Sequence, residues 1–371
     1  LGGGDGDVMM RLGKALLTLA VGALVVMGAG QVQVAAAADM QKVTYALATA
    51  DINVGYPYAT LAKALGYFEE EGLDVDIVPG QSSAAITQLL LSGRADIGLM
   101  NPYAASAQRA NNDVPLVAIY PISRQASTRI VVPADGSIKD IADLKGKIVA
   151  VTDLGSSDVA YLKSRLREAG LSENDVTIIA TGYGTPTYEA FKSGRINAFI
   201  TFNGGFARMK AAGYDGERLP LPEAEREFYS FSLYSTRDYV AQHGDVIEKL
   251  GRATAKATVF VATNPEAAVR IFWQQFPDRA PKDLNDEKAM AGELAIVGAT
   301  VEDMKANSLP VDFAWGSQTV DVYTRIQDYL VGTGQITNPI DPQGFFTSDF
   351  EKGYADFDHA AIVQQAKTWP N

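Results

Sequence analysis

From Val43 onward the chain alternates short β-rich runs with amphipathic stretches, a pattern that restricts it to folds in which helices join largely parallel strands. Strands are predicted over 43–48, 75–78, 97–100, 116–120, 130–132, 148–152, 176–180 and 198–202. Helices are predicted between them over 58–71, 84–91, 161–169 and 188–192, the first two stopped by Gly72 and Gly93. After a further strand over 231–234 the pattern changes, and helical runs over 246–263, 265–275 and 317–330 dominate. The fold class is α/β. At 371 residues, 47% of them hydrophobic, the chain can fill one large or two medium cores.

A short internal repeat points to two lobes of like construction. Ser92-Gly93-Arg94-Ala95-Asp96 and Ser193-Gly194-Arg195-Ile196-Asn197 each join a helix to a strand, and the strands end near Asn101 and Asn203. Any βαβ unit can turn through a glycine, but the shared serine, arginine and Asp/Asn exceed what a turn requires.

Composition removes several function classes. Lys and Arg total 32 against 44 Asp and Glu, and a net charge of −12 repels nucleic acid and anionic membrane surfaces. Without cysteine there is no disulfide, thiol nucleophile or thiolate metal site. His243 and His359 are the only imidazoles and stand in no metal or hydrolase motif, so no metal, cofactor or catalytic residue is expected.

Met9-Met10-Arg11-Leu12-Gly13-Lys14 precedes an uncharged apolar run over 15–29 and the small residues Ala35-Ala36-Ala37-Ala38, the pattern of a secretory signal peptide. A helix over 15–29 rises about 22 Å, short of the roughly 30 Å hydrocarbon core. Residues 1–38 are therefore expected to be a cleaved leader, with 1–8 a start-site extension. The mature protein is expected to be a periplasmic monomer with no stable membrane insertion.

Ligands of open α/β sheets sit beyond the carboxyl ends of the strands, where helix N-termini present free N–H groups. The segments there are 49–58, 79–84, 100–104, 153–158, 181–188 and 201–206; none contains Lys or Arg. Gln81-Ser82-Ser83 and Ser156-Ser157-Asp158 place paired hydroxyls at helix starts, where N-capping, worth about 1 kcal/mol, accounts for one serine of each pair. Thr185 opens a third helix ahead of Pro186. Asn101 and Asn203 end their strands, and Tyr56, Tyr103 and Tyr183 offer aromatic faces that serve either packing or a planar ligand. Asp51 and Asp158 are the acids, Asp158 with the alternative role of complementing a helix N-terminus. The set suits a neutral, zwitterionic or amino-bearing ligand better than a multiply charged anion.

Gly66-Tyr67-Phe68-Glu69-Glu70-Glu71-Gly72-Leu73-Asp74-Val75, Leu91-Ser92-Gly93-Arg94-Ala95-Asp96-Ile97-Gly98 and Ile141-Ala142-Asp143-Leu144-Lys145-Gly146-Lys147-Ile148-Val149-Ala150-Val151 occur in this order. Together they resemble the nitrate/sulfonate/taurine-type substrate-binding proteins of ABC importers, which include binders of the thiamine pyrimidine precursor. The resemblance implies a type II periplasmic binding fold, each lobe a central sheet flanked by helices, with the ligand cleft between lobes. Lobe one would comprise 40–127 plus 235–371 and lobe two 128–234. It also implies that Gln81-Ser82-Ser83, Asn101 and Gly155-Ser156-Ser157 bind a small molecule and that an ABC importer permease is the partner. Of the Asp-Trp-x-x-Asn-x-x-His of pyrimidine-precursor binders only Asp51 is present, with Ile52, Gly55 and Tyr58 at the other positions. Two other functions compete: a ligand-sensing subunit of a membrane receptor, and a pyrimidine-synthesis-like enzyme. The resemblance implies that such an enzyme needs a cysteine-rich segment, and this chain has no cysteine.

Overall fold

The computed structural model describes residues 40–49, 51–305 and 313–370; the predicted leader, 1–38, lies outside them. Its strands are β1 (Gln41–Leu47), β2 (Leu73–Pro79), β3 (Ile97–Met100), β4 (Leu116–Pro121), β5 (Thr128–Val132), β6 (Ile148–Val151), β7 (Thr177–Ala180), β8 (Ala198–Phe202), β9 (Glu217–Arg218) and β10 (Ser232–Thr236). They form two five-stranded sheets, β2-β1-β3-β10-β4 and β7-β6-β8-β5-β9. In each, the first three strands are parallel and the fourth runs antiparallel to both neighbours. The fourth strand of each sheet is the one that follows a crossover from the other lobe: β5 after β4, and β10 after β9.

Strand periodicity separates the faces of each sheet. Val43, Tyr45 and Leu47 enter one core of lobe one and Ala46 the other, while Val149 and Val151 enter one core of lobe two and Ala150 the other. Helices Gly244–Thr263 and Pro265–Gln275 cover one face of the first sheet, burying Phe260, Phe272 and Trp273. Helix Val320–Gly332 covers the opposite face through Tyr323, Ile326 and Leu330.

The repeat has a local physical cause. Ser92 Oγ donates back to Gln88 and Leu89, Gly93 takes φ +66°, Arg94 Nε donates to Ser92 Oγ, and Asp96 Oδ2 accepts from Thr44 N at 2.8 Å. In lobe two Ser193, Gly194 (φ +72°) and Arg195 do the same, and Asn197 Oδ1 accepts from Ile148 N at 2.9 Å. The five residues thus end a helix and clip the entry of the next strand to its parallel neighbour, β1 at Thr44 and β6 at Ile148.

Some elements differ from expectation. The helix predicted over 58–71 is two, Pro57–Ala64 and Tyr67–Glu70, because Gly66 at φ +76° breaks it. Helices Pro102–Asn112 and Asn203–Ala211 were not predicted: the first is rich in Ala, Ser and Asn with no apolar stripe, and the second opens on Gly204-Gly205. Helix Glu287–Asp303 also went unread.

Candidate functional site

The strand ends of both sheets face a common cavity of about 210 Å³, which Phe231 of the second crossover also lines. Lobe one contributes Thr49, Tyr56, Gln81, Ser82 and Ser83; lobe two contributes Thr152, Asp153, Ser156, Ser157, Asp158, Tyr183 and Phe202. No Lys, Arg or His is among the lining residues.

On the lobe-one side Gly80 lets the chain pass within van der Waals range of Ile86, whose Cδ1 would lie 2.0 Å from any Cβ there. Gln81 follows at φ +64°, a strained conformation for a side-chain-bearing residue and of the kind that gathers at ligand sites. Ser82 caps helix Ser83–Leu91, its Oγ accepting from Ala85 N at 3.3 Å, and Ser83 Oγ accepts from Asn101 N at 3.3 Å. Both hydroxyls therefore have structural duties.

Lobe two differs. Ser156 stands at the N-cap of helix Ser157–Glu168 without capping it; its hydroxyl donates to the Asp153 carbonyl at 2.7 Å. The first N–H groups of that helix receive no side-chain cap, and the positive end of its dipole adjoins the cavity. Asp158 Oδ2 accepts from Thr152 N at 3.0 Å and from Thr152 Oγ1 at 2.7 Å, which ties the end of β6 to the helix. The Ser156 hydroxyl also lies within hydrogen-bonding range of the Asp158 carboxylate. Burial raises the Asp158 pKa against the lowering effect of the Thr152 bonds. Tyr183 lies parallel to Phe202, with centroids 5.7 Å apart, and Phe202 meets Phe231 edge-on at 6.2 Å. These rings make an apolar part of the cavity wall.

Of the residues expected at the site, Tyr56, Gln81, Ser82, Ser83, Ser156, Ser157, Asp158 and Tyr183 line this cavity. The other five do not line it. Asp51 pairs with Arg208 of lobe two at 3.1 Å and with Arg279 at 2.5 Å. Asn101 caps helix Pro102–Asn112, accepting from Tyr103 N at 2.8 Å. Tyr103 packs edge-on against Phe228 and Tyr329. Thr185 is exposed at its helix start. Asn203 is buried and donates to Asp303 at 2.7 Å.

Sequence reasoning missed Thr49 and Thr152 as lining residues, although each sits at the end of a strand it had identified. Phe202 lay in a chosen segment but was not chosen. Phe231 was expected to open a strand; it precedes β10, at the end of the second crossover. Arg208, whose guanidinium lies 5.8 Å from the Tyr183 ring centre, belongs to an unpredicted helix.

The family model "NMT1/THI5 like" matches residues 56–268, more than half of the chain. The formylaminopyrimidine-binding protein of Halalkalibacterium halodurans is 26% identical over 222 residues, 59% of this chain and 66% of that protein. A 4-amino-5-hydroxymethyl-2-methylpyrimidine phosphate synthase of Saccharomyces cerevisiae is 24% identical over 240 residues, 61% of this chain and 68% of that one. The chain thus spans about two thirds of the length of these relatives. Among solved structures, the periplasmic aliphatic sulphonate binding protein SsuA of Escherichia coli superposes with a TM-score of 0.59 at 19% identity, over 84% of this chain and 99% of that one. The two-lobed periplasmic binding fold is common to both, and with the family model matching most of both sheets, the chain belongs to the NMT1/THI5-like family.

Proposed function

We propose that this protein is a periplasmic solute-binding protein that holds a small planar organic molecule between its lobes, unchanged, and delivers it to an ABC importer permease. The observation that carries this reading is the composition of the cavity wall: stacked rings, hydroxyls, an uncapped helix start and two acids, with no cationic side chain. A bare anion meets Asp153 and Asp158 without a donor of its own to offer them. A flat molecule bearing an amino group stacks on Tyr183–Phe202 and donates to the Asp158 carboxylate, while its acceptors face Ser156, Ser157 and the helix N–H groups. Binding rather than catalysis is supported by the absence of cysteine and by the positions of His243 and His359 in the C-terminal helical part.

The relatives named for pyrimidines fit this ligand class, and the one named for aliphatic sulphonates fits it less well. A thermal-shift screen of aminopyrimidines, aromatic amines, taurine, sulphonates and nitrate tests the reading. Stabilisation by the amino-bearing planar compounds is expected; a response confined to sulphonates or nitrate would refute it. Stimulation of the ATPase of a reconstituted permease encoded beside this protein tests delivery.

A further inference from the structure

Outside the cavity, one buried acid joins three parts of the molecule. Asp303 ends helix Glu287–Asp303 of lobe one and is 4% exposed. Its Oδ1 accepts from the Asn203 side-chain amide of lobe two at 2.7 Å and from the Gln125 amide of the first crossover at 3.4 Å. Its carbonyl accepts from Arg124 N, also in the crossover, at 2.8 Å. Asn203 is held in register from behind, because Arg218 Nη1 donates to its Oδ1 at 2.9 Å, leaving its amide to face Asp303. Asn203 directly follows Phe202 of the cavity wall. Helices Asn203–Ala211 and Glu287–Asp303 pack against each other across the lobes, with Gly292 opposite Ala211 and Gly204 near Thr300.

We propose that Asp303 is the positioning residue that latches lobe two onto lobe one over the cavity, through its contact with Asn203. This rests on the binding-protein reading above, in which the lobes part to admit ligand. Separation would return the carboxyl to water, whereas closure buries it. Burial pushes the Asp303 pKa up to about 7, opposed by the Asn203 and Gln125 bonds and by Arg129. The groups that face it are Arg129 at the start of β5, Tyr58 on helix Pro57–Ala64, Glu302 on its own helix, and Arg218 through Asn203.

The sign follows from linkage. The closed state binds a proton that the open state releases, so closure is favoured at low pH and weakens as pH rises through 7, by up to about tenfold per unit below that value.

The test needs no ligand, so an unsuccessful ligand screen and a failed latch are distinguishable. The chain has no native cysteine, and Leu91→Cys in lobe one with Asn174→Cys in lobe two gives two exposed spin-label sites. Distances between them are measured by double electron–electron resonance from pH 5 to 8.5. The short-distance population should fall as pH rises, stay high throughout in Asp303→Asn, a neutral isostere, and be low even at pH 5 in Asp303→Ala. Asn203→Ala, which breaks the contact from the other lobe, should match Asp303→Ala. Equal distance distributions at pH 5 for wild type and both alanine variants would overturn the latch. So would a pH response that survives in Asp303→Asn and disappears in Glu225→Gln, since Glu225, whose pKa burial also raises to about 7, would then be the responsible group.

Discussion

The two lobes share strand order and strand sense yet present different chemistry to the cavity. In lobe one the helix-start serines are engaged by their own scaffold: Ser82 caps its helix and Ser83 receives the Asn101 N–H. In lobe two Ser156 leaves its helix uncapped, Asp158 ties to Thr152 without capping, and the corresponding third helix start carries Gly184 in place of a capping side chain. A shared topology therefore fixes where helix N-termini converge. Which of their groups remain available to a ligand depends on the bonds each lobe makes internally.

That asymmetry can be broken by mutation. The largest effect is expected at Asp158. Asp158→Asn keeps an acceptor for Thr152 but loses the charge, and a charge-assisted hydrogen bond is worth about 1.5–3 kcal/mol, so affinity for an amino-bearing ligand should fall roughly 10- to 150-fold by calorimetry. Unchanged affinity would reduce Asp158 to a strand-to-helix tie.

Ser82→Ala and Ser156→Ala should separate the lobes more finely. Losing the cap at Ser82 should cost about 1 kcal/mol of unfolding free energy in urea melts and little affinity. Ser156→Ala should cost less stability and weaken binding several-fold, in line with about 0.5–1.5 kcal/mol for a neutral hydrogen bond. The opposite pattern would show that lobe one carries the ligand.

The smallest effect concerns the scaffold the lobes share. Asp96→Ala and Asn197→Ala each remove an acceptor from the first turn into a central strand. Each should destabilise by about 1 kcal/mol, with the two values within about 0.5 kcal/mol of each other. A much larger cost at Asp96 would mean that its charge contributes beyond the shared bond.

Much of this was legible in the sequence because its causes are local. Strand alternation, the left-handed glycine after a helix and serine at a helix start are all dictated by a few neighbouring residues, so the two sheets and the lining residues Ser82, Ser156 and Asp158 could be read directly. What stayed hidden depends on distant partners. Nothing near Asp51 announces Arg208, 157 residues away, and nothing near Asn203 announces Asp303, 100 residues away. Asp51 and Asn203 were chosen for sound chemistry, but the fold directs that chemistry to contacts between the lobes. Tyr103 was chosen for its ring, and the ring is taken by Phe228 and Tyr329, whose proximity only the tertiary structure reveals.

The position of β10 also governs the sequence of assembly when the chain emerges from its N-terminus. Every strand of the second sheet lies within 128–218, so that sheet can close from a continuous stretch. The first sheet cannot. β3 and β4 are not neighbours in it; both pair with β10, so until residue 232 arrives each has an edge of unpaired N–H and C=O groups, the kind of surface that recruits foreign strands. The lobe that begins second is therefore the first able to finish, and the lobe that begins the fold is left for longest as an aggregation hazard.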